Sequence, residues 1–135
     1  MDSRASDVGR LLLRVTVSGL LLFHGADKLR HGVGEVRNDL VAHGMPAFAA
    51  YGVFLGEVVA PVLILLGVFA RPAALVCSGT VLFATALVHP DAYGRLAPTG
   101  AWAAESFAFY VLTALAVALL GAGRYSLRGG RGRWD

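Results

Sequence analysis

The stretch 47–70, AFAAYGVFLGEVVAPVLILLGVFA, holds one charged residue, Glu57, in 24 positions. A membrane-crossing helix needs ~20 mostly apolar residues, so this run is long enough to span a bilayer. It is apolar all round rather than along one stripe, which suits a helix surrounded by lipid. Arg71 alone separates it from a second apolar run at 72–89. So tight a connection folds the two runs into an antiparallel hairpin, with Pro72 suited to a helix start. Outward from this pair lie a run at 9–29, GRLLLRVTVSGLLLFHGADKL, and another at 101–120. Four such spans use roughly 80 of the 135 positions and leave no room for a second domain.

Composition agrees. The chain is 56% hydrophobic and 16% charged, against about 25% charged in soluble domains. Its mean hydropathy is +0.63. A water-soluble globule, a disordered tail protein, a disulfide scaffold and a multidomain enzyme are excluded. The one cysteine, Cys77, makes no intramolecular disulfide, no CxxC pair and no thiolate metal site alone, so no metal is expected. The net charge of +3 does not indicate nucleic acid, because four of the twelve basic residues lie in the last dozen positions, outside the apolar runs. There they act as an orientation signal. With the N-terminus inside, the inner side carries Arg4, Arg10, Arg71, Arg124, Arg128, Arg131 and Arg133, and the outer side Lys28, Arg30, Arg37 and Arg95. The excess predicts N-in and C-in, with 121–135 as a basic cytoplasmic tail. The first run competes with a signal peptide, but Arg14 interrupts it and no A-x-A site follows, so it reads as an uncleaved span. In the loop 31–46, Val33, Val36, Leu40 and Val41 follow helical spacing, so part of it is expected on the outer membrane surface.

Charges at membrane depth cost at least ~2.5–3.5 kcal/mol each, so each needs a reason. At about 100° per residue, Arg14, His24 and Lys28 share an arc of about 80°, with Ser18 and Gly25 at its edge. This stripe is expected to face the bundle interior. Glu57 falls near the midplane, and Pro61 four residues on should bend the helix and free the Glu57 carbonyl. Ser78, Thr85 and His89 align on the third span; Glu105, Ser106 and Tyr110 belong to the fourth. Glu57 and Glu105 are expected to balance Lys28, Arg14 and the histidines, either as a functional cluster or as a structural ion-pair network. Lys28, Arg14, His89 and Glu105 could equally snorkel from span ends to water. Cys77 reads as a packing residue.

The first span with HGADK (24–28), then HGMP (43–46), LGEVVAPVLILLGVFAR (55–71), His89, Glu105 and the closing GAGRYSLR (121–128) together resemble the DoxX family. The resemblance runs from about residue 11 to 127. It implies an all-α, polytopic four-helix bundle in the bacterial plasma membrane. The family takes its name from the membrane partner in an archaeal thiosulfate:quinone oxidoreductase. Some actinobacterial relatives are linked to a membrane oxidoreductase complex with superoxide dismutase and a thiol-processing enzyme. The family's functional residues would map onto Arg14, His24, Lys28, Glu57, His89 and Glu105, without fixing their roles. With Cys77 alone, thiol exchange would need a partner's cysteines.

The leading expectation is therefore a non-autonomous membrane subunit of a quinone-linked oxidoreductase. Glu57 and His24 are its candidate catalytic residues, and Arg14, His24, Lys28, His89 and Glu105 its candidate quinone and proton cluster. A histidine would donate to the quinone oxygen, Glu57 would exchange the proton, and Lys28 or Arg14 would stabilise the developing anion. No intrinsic cofactor is expected; the partners are the lipid bilayer, a protein partner or a second copy, and a quinone. Two rivals stand beside it: an assembly or scaffold factor without catalysis, and a small proton-coupled transporter using Glu57.

Overall fold

The computed structural model describes residues 3–135. Five α-helices carry the architecture: α1 (Ser3–His31), α2 (Gly34–Ala42), α3 (Ala60–Leu66), α4 (Ala70–Val88) and α5 (Glu105–Leu120). A 3₁₀ turn (Ala47–Gly52) and a π-helical turn (Leu55–Val59) run into α3, making one broken helix. A second 3₁₀ turn (Pro90–Gly94) and an isolated antiparallel bridge between Leu96 and Trp102 connect α4 to α5. The chain is all-α, and three helical stretches, Ser3–His31, Ala47–Leu66 and Ala70–Val88, are long and apolar enough to cross a membrane. α5 is a shorter apolar helix of 16 residues.

Around the bundle the order is α1, broken helix, α4, α5 and back to α1, so α1 and α4 are diagonal. The centre is built mostly from small side chains, among them Ala60, Ala70, Ala73, Ala74, Cys77 and Ala114, with Ile64, Val17 and Val117 filling between them. Small residues let helices approach closely where lipid removes any hydrophobic gain from helix association. Large apolar side chains point outward instead: Phe23 is 76% exposed, Phe109 71% and Leu119 78%. That pattern suits a surrounding of lipid tails, not water.

Helix ends differ from the sequence boundaries for identifiable reasons. α1 begins at Ser3, well before position 9, and ends at His31. The second run stops at Leu66 instead of 70 because Gly67, at φ 71°, takes a left-handed turn. There Gly67 N–H donates to the Ile64 carbonyl and Val68 N–H to the Leu63 carbonyl, a closing pattern that glycine permits without a Cβ penalty. α4 then begins at Ala70, with Pro72 in its first turn. α5 starts at Glu105, since residues 97–104 are taken up by turns around the Leu96–Trp102 bridge.

The proline-induced bend takes a specific form. Ala60 N–H bonds to Leu55 O, five residues back, so the chain is in π register ahead of Pro61. In that register the carbonyl left without its N–H is that of Gly56, not Glu57, because its partner would be Pro61. Cys77 Sγ takes the vacant place, donating to Gly56 O at 3.3 Å. The loop 31–46 also differs from expectation: Val33 and Leu40 are buried against Ala50, with Val36 packed beside them, and only Val41 faces outward. α2 is a cover on the bundle rather than a free surface helix.

At the end of the bundle that carries both chain termini, Arg14 is 1% exposed. Its Nε donates to Ile64 O at 2.8 Å, Nη2 to Leu65 O at 2.6 Å, and Nη1 to Ala122 O and Tyr125 O at 2.8 Å each. The tail folds beneath this point instead of trailing away. Leu127 N–H bonds to Leu66 O, and the buried Asp135 accepts from Phe69 N–H and Gly132 N–H. Arg14→Leu is expected to lower stability by about 3–5 kcal/mol, because it removes four hydrogen bonds at once, two of them buried, and puts a side chain without donors in their place. Arg14→Lys should recover only part of the loss, since one ammonium lacks the fork geometry. Unfolding titrations in detergent would check both.

Candidate functional site

Two local features bring a lysine and a glutamate together at the opposite end. The first is Gly25 on α1, where a Cβ would overlap the Glu57 carbonyl oxygen and the Val58 side chain. Lacking one, α1 lies directly on the π turn. The second is the π turn itself, whose extra residue re-aims the side chains it carries, a distortion frequent at functional sites. One turn beyond Gly25, Lys28 Nζ reaches Glu57 Oε2 at 2.8 Å. The two side chains are 21% and 13% exposed, so the pair is sheltered but not sealed.

The pair lines a cavity of about 880 Å³ between α1, α2, the broken helix, α4 and α5. Leu21, Val53, Val81, Phe83, Leu87 and Val88 give it largely apolar walls. His24 lies one turn before Lys28 and meets Tyr110 of α5 edge-on, with ring centroids 6.0 Å apart and Nε2 3.5 Å from the phenol oxygen. His89, just past α4, stacks on Phe107 at 5.8 Å. Thr85 and Thr80 also line the space, but each hydroxyl donates to the carbonyl four residues back, Val81 O and Val76 O.

The cavity thus gathers Glu57, Lys28, His24 and His89 and leaves out the other two sequence candidates. Arg14 stands ten residues before His24, about 15 Å along the helix, with its donors committed to carbonyls. Glu105 is exposed in the first turn of α5 and makes no ion pair among the described residues; its neighbour Ser106 lines the cavity instead. Asp27 is exposed and pairs with His31 Nδ1 at 2.9 Å. Two carboxylates at the cavity went unnoticed in the sequence: Glu35 and Asp39 of α2. Their i,i+4 spacing, alternating with Val36 and Leu40, was the available signal.

A family model, DoxX, matches residues 9–90, more than half of the chain. No curated protein and no solved structure gives a match. The matched region contains all four cavity residues and stops before α5, so Glu105 lies outside it.

Removing one member of the Lys28–Glu57 pair should destabilise more than removing both. Lys28→Met or Glu57→Leu alone is expected to cost about 2–3 kcal/mol, because a sheltered charge then loses its partner. The double variant should recover most of that loss. A double-mutant cycle on detergent unfolding midpoints measures the coupling.

Proposed function

The chain belongs to the DoxX family, and from that premise we propose that it is the membrane subunit of a quinone-linked redox complex. In this reading the cavity around Lys28 and Glu57 receives the quinone headgroup, and a partner oxidoreductase supplies or removes the electrons. One observation carries it: an ion pair set in the wall of a largely apolar cavity whose volume lies in the ~300–1,000 Å³ range of small-molecule sites. The residues fit such a group. Val76, Phe83 and Val88 of α4 line the cavity and are exposed, so its wall offers accessible apolar surface, which suits an apolar ligand.

A bound quinone would supply the two-electron, two-proton carrier chemistry. The chain's own residues handle the charge and the proton. Lys28 donates towards a ligand oxygen and stabilises negative charge developing there. Glu57, on the same ammonium, accepts or returns a proton. His24 and His89 each offer a ring that donates at one nitrogen and accepts at the other. Glu35 and Asp39, from α2, stand at the same space and give protons a route towards water.

The same reading places the chain in a bacterial inner membrane as one multi-pass domain, with α5 as a fourth span and both ends in the cytoplasm. The arginine excess at the end carrying both termini supports that orientation.

Native mass spectrometry on protein gently solubilised from its own membrane tests the proposal. Bound quinone should be retained together with a partner subunit, and fall about tenfold or more in Glu57→Ala and in His24→Ala. Glu57→Gln should keep the partner but lose quinone-linked turnover. Partner subunits held by a chain that never retains quinone would overturn the reading in favour of an assembly factor.

A further inference from the structure

The other end of the bundle has a pocket of its own, of about 570 Å³. Four guanidinium-bearing residues from three parts of the chain line it: Arg10 of α1, Arg71 of α4, and Arg124 and Arg131 of the segment after α5. Two carboxylate side chains accompany them, both largely committed, and Arg71 is itself partly engaged, its Nε donating to the Asp135 main-chain oxygen at 3.1 Å and its Nη1 to Ala118 O at 3.4 Å. Asp7 Oδ1 accepts from Arg124 N–H at 3.3 Å and lies 3.7 Å from Arg10 Nη1. Asp135, whose side chain is fully buried, accepts from the Phe69 and Gly132 amides, and its Oδ1 lies 3.8 Å from Arg128. Positive charge is therefore in excess in the pocket.

Arg10 Nε is buried and finds no hydrogen-bond partner among the described residues. A buried donor without an acceptor costs about 1–3 kcal/mol, so the site is short of an acceptor. The rest of the floor is backbone of Gly123, Gly129, Gly130 and Gly132, which leaves room for a ligand between the arginines. Leu120 enters the same pocket, while Leu119, Leu127 and Trp134 stand exposed nearby. Apolar and Trp side chains beside arginines mark the level at which lipid headgroups meet water.

We propose that this pocket, where Arg10, Arg71, Arg124 and Arg131 converge, binds a phosphate group, carried by an anionic lipid headgroup or by a soluble phosphate. Guanidinium forks match phosphate oxygens two at a time, and such charge-assisted bonds are short and directional. Arg10 Nε supplies a donor that no described residue takes. The proposal is independent of the quinone reading, because it uses no residue of that cavity.

The full chain is placed in phosphatidylcholine nanodiscs for two parallel measurements. In one, the discs are doped with phosphatidylglycerol and lipid retained by the released protein is counted by native mass spectrometry. In the other, undoped discs are titrated with radiolabelled inorganic phosphate. Retained phosphatidylglycerol identifies a headgroup site; saturable phosphate binding in undoped discs identifies a soluble anion. Either supports the proposal when Arg10→Gln and Arg131→Gln each weaken binding about fivefold. Arg133→Gln is the control: it removes the same charge at the same end, but Arg133 lies over the Trp134 ring and does not line the pocket. Arg131 is exposed, so its variant should unfold at the wild-type midpoint. Failure of both probes to bind, or an equal loss in Arg133→Gln, would overturn it.

Discussion

The structure depends on one side chain reaching across the end of the bundle. Arg14 takes the last carbonyls of α3, at Ile64 and Leu65, and those that follow α5, at Ala122 and Tyr125. Carbonyls at a helix C-terminus have no partner within the helix, and a lipid surround offers none from water. A guanidinium answers both needs, since its donors spread in a plane and its charge faces the negative ends of two helix dipoles. Gly67 completes the arrangement, because a Cβ there would crowd the Arg14 guanidinium and Ser126. Three helices are thus tied at one point by a residue belonging to only one of them.

That tie sets the register for the opposite end. From Arg14 to Lys28 is fourteen residues, about 21 Å of α-helix. With α1 fixed below by Arg14 and pressed above against the π turn at Gly25, Lys28 arrives at the height of Glu57. The π turn is where the broken helix absorbs Pro61, and Cys77 of α4 makes the exchange possible by serving the Gly56 carbonyl. Gly56 itself lies against Thr80, leaving no room for a Cβ. The ion pair therefore rests on a chain of close approaches between α1, the π turn and α4 rather than on its own attraction.

Much of this was visible in the residues. Runs of apolar sequence located the long helices, because lipid demands them whatever the packing. The interior stripe of α1 followed from angular spacing, and burial of Arg14, Ser18 and Gly25 agrees with it, whereas His24 is exposed and Lys28 half-buried where the stripe reaches the open cavity. Roles within the stripe were not readable. A sequence displays the charge of Arg14 but not the helix-end and tail carbonyls that claim it, which are in place only once α3 and α5 have ended. The one-residue slip at 55–59 leaves hydropathy unchanged, so it is silent in composition. Glu35 and Asp39 were hidden in a polar loop whose folding over the cavity depends on Val33 and Leu40 meeting Ala50. The tail's arginines were legible as charge, whereas the fold that gathers Arg124 and Arg131 beside Arg10 arises from turns at Gly121, Gly123, Gly129 and Gly130.

The two membrane-depth cations differ in how far their hydrogen-bonding capacity is used. Arg14 gives its Nε and both terminal nitrogens to backbone oxygens and lines neither of the two cavities described above, so it has little left to offer a ligand there. Lys28 makes one hydrogen bond among the described residues, to a single Glu57 oxygen. An ammonium has three donors and a carboxylate two oxygens, so capacity remains on both sides of the pair. A purely structural ion pair in so apolar a setting gains little over well-packed hydrophobic side chains of the same volume. Unspent donors and acceptors facing an open cavity favour the proposed site over a purely structural tie.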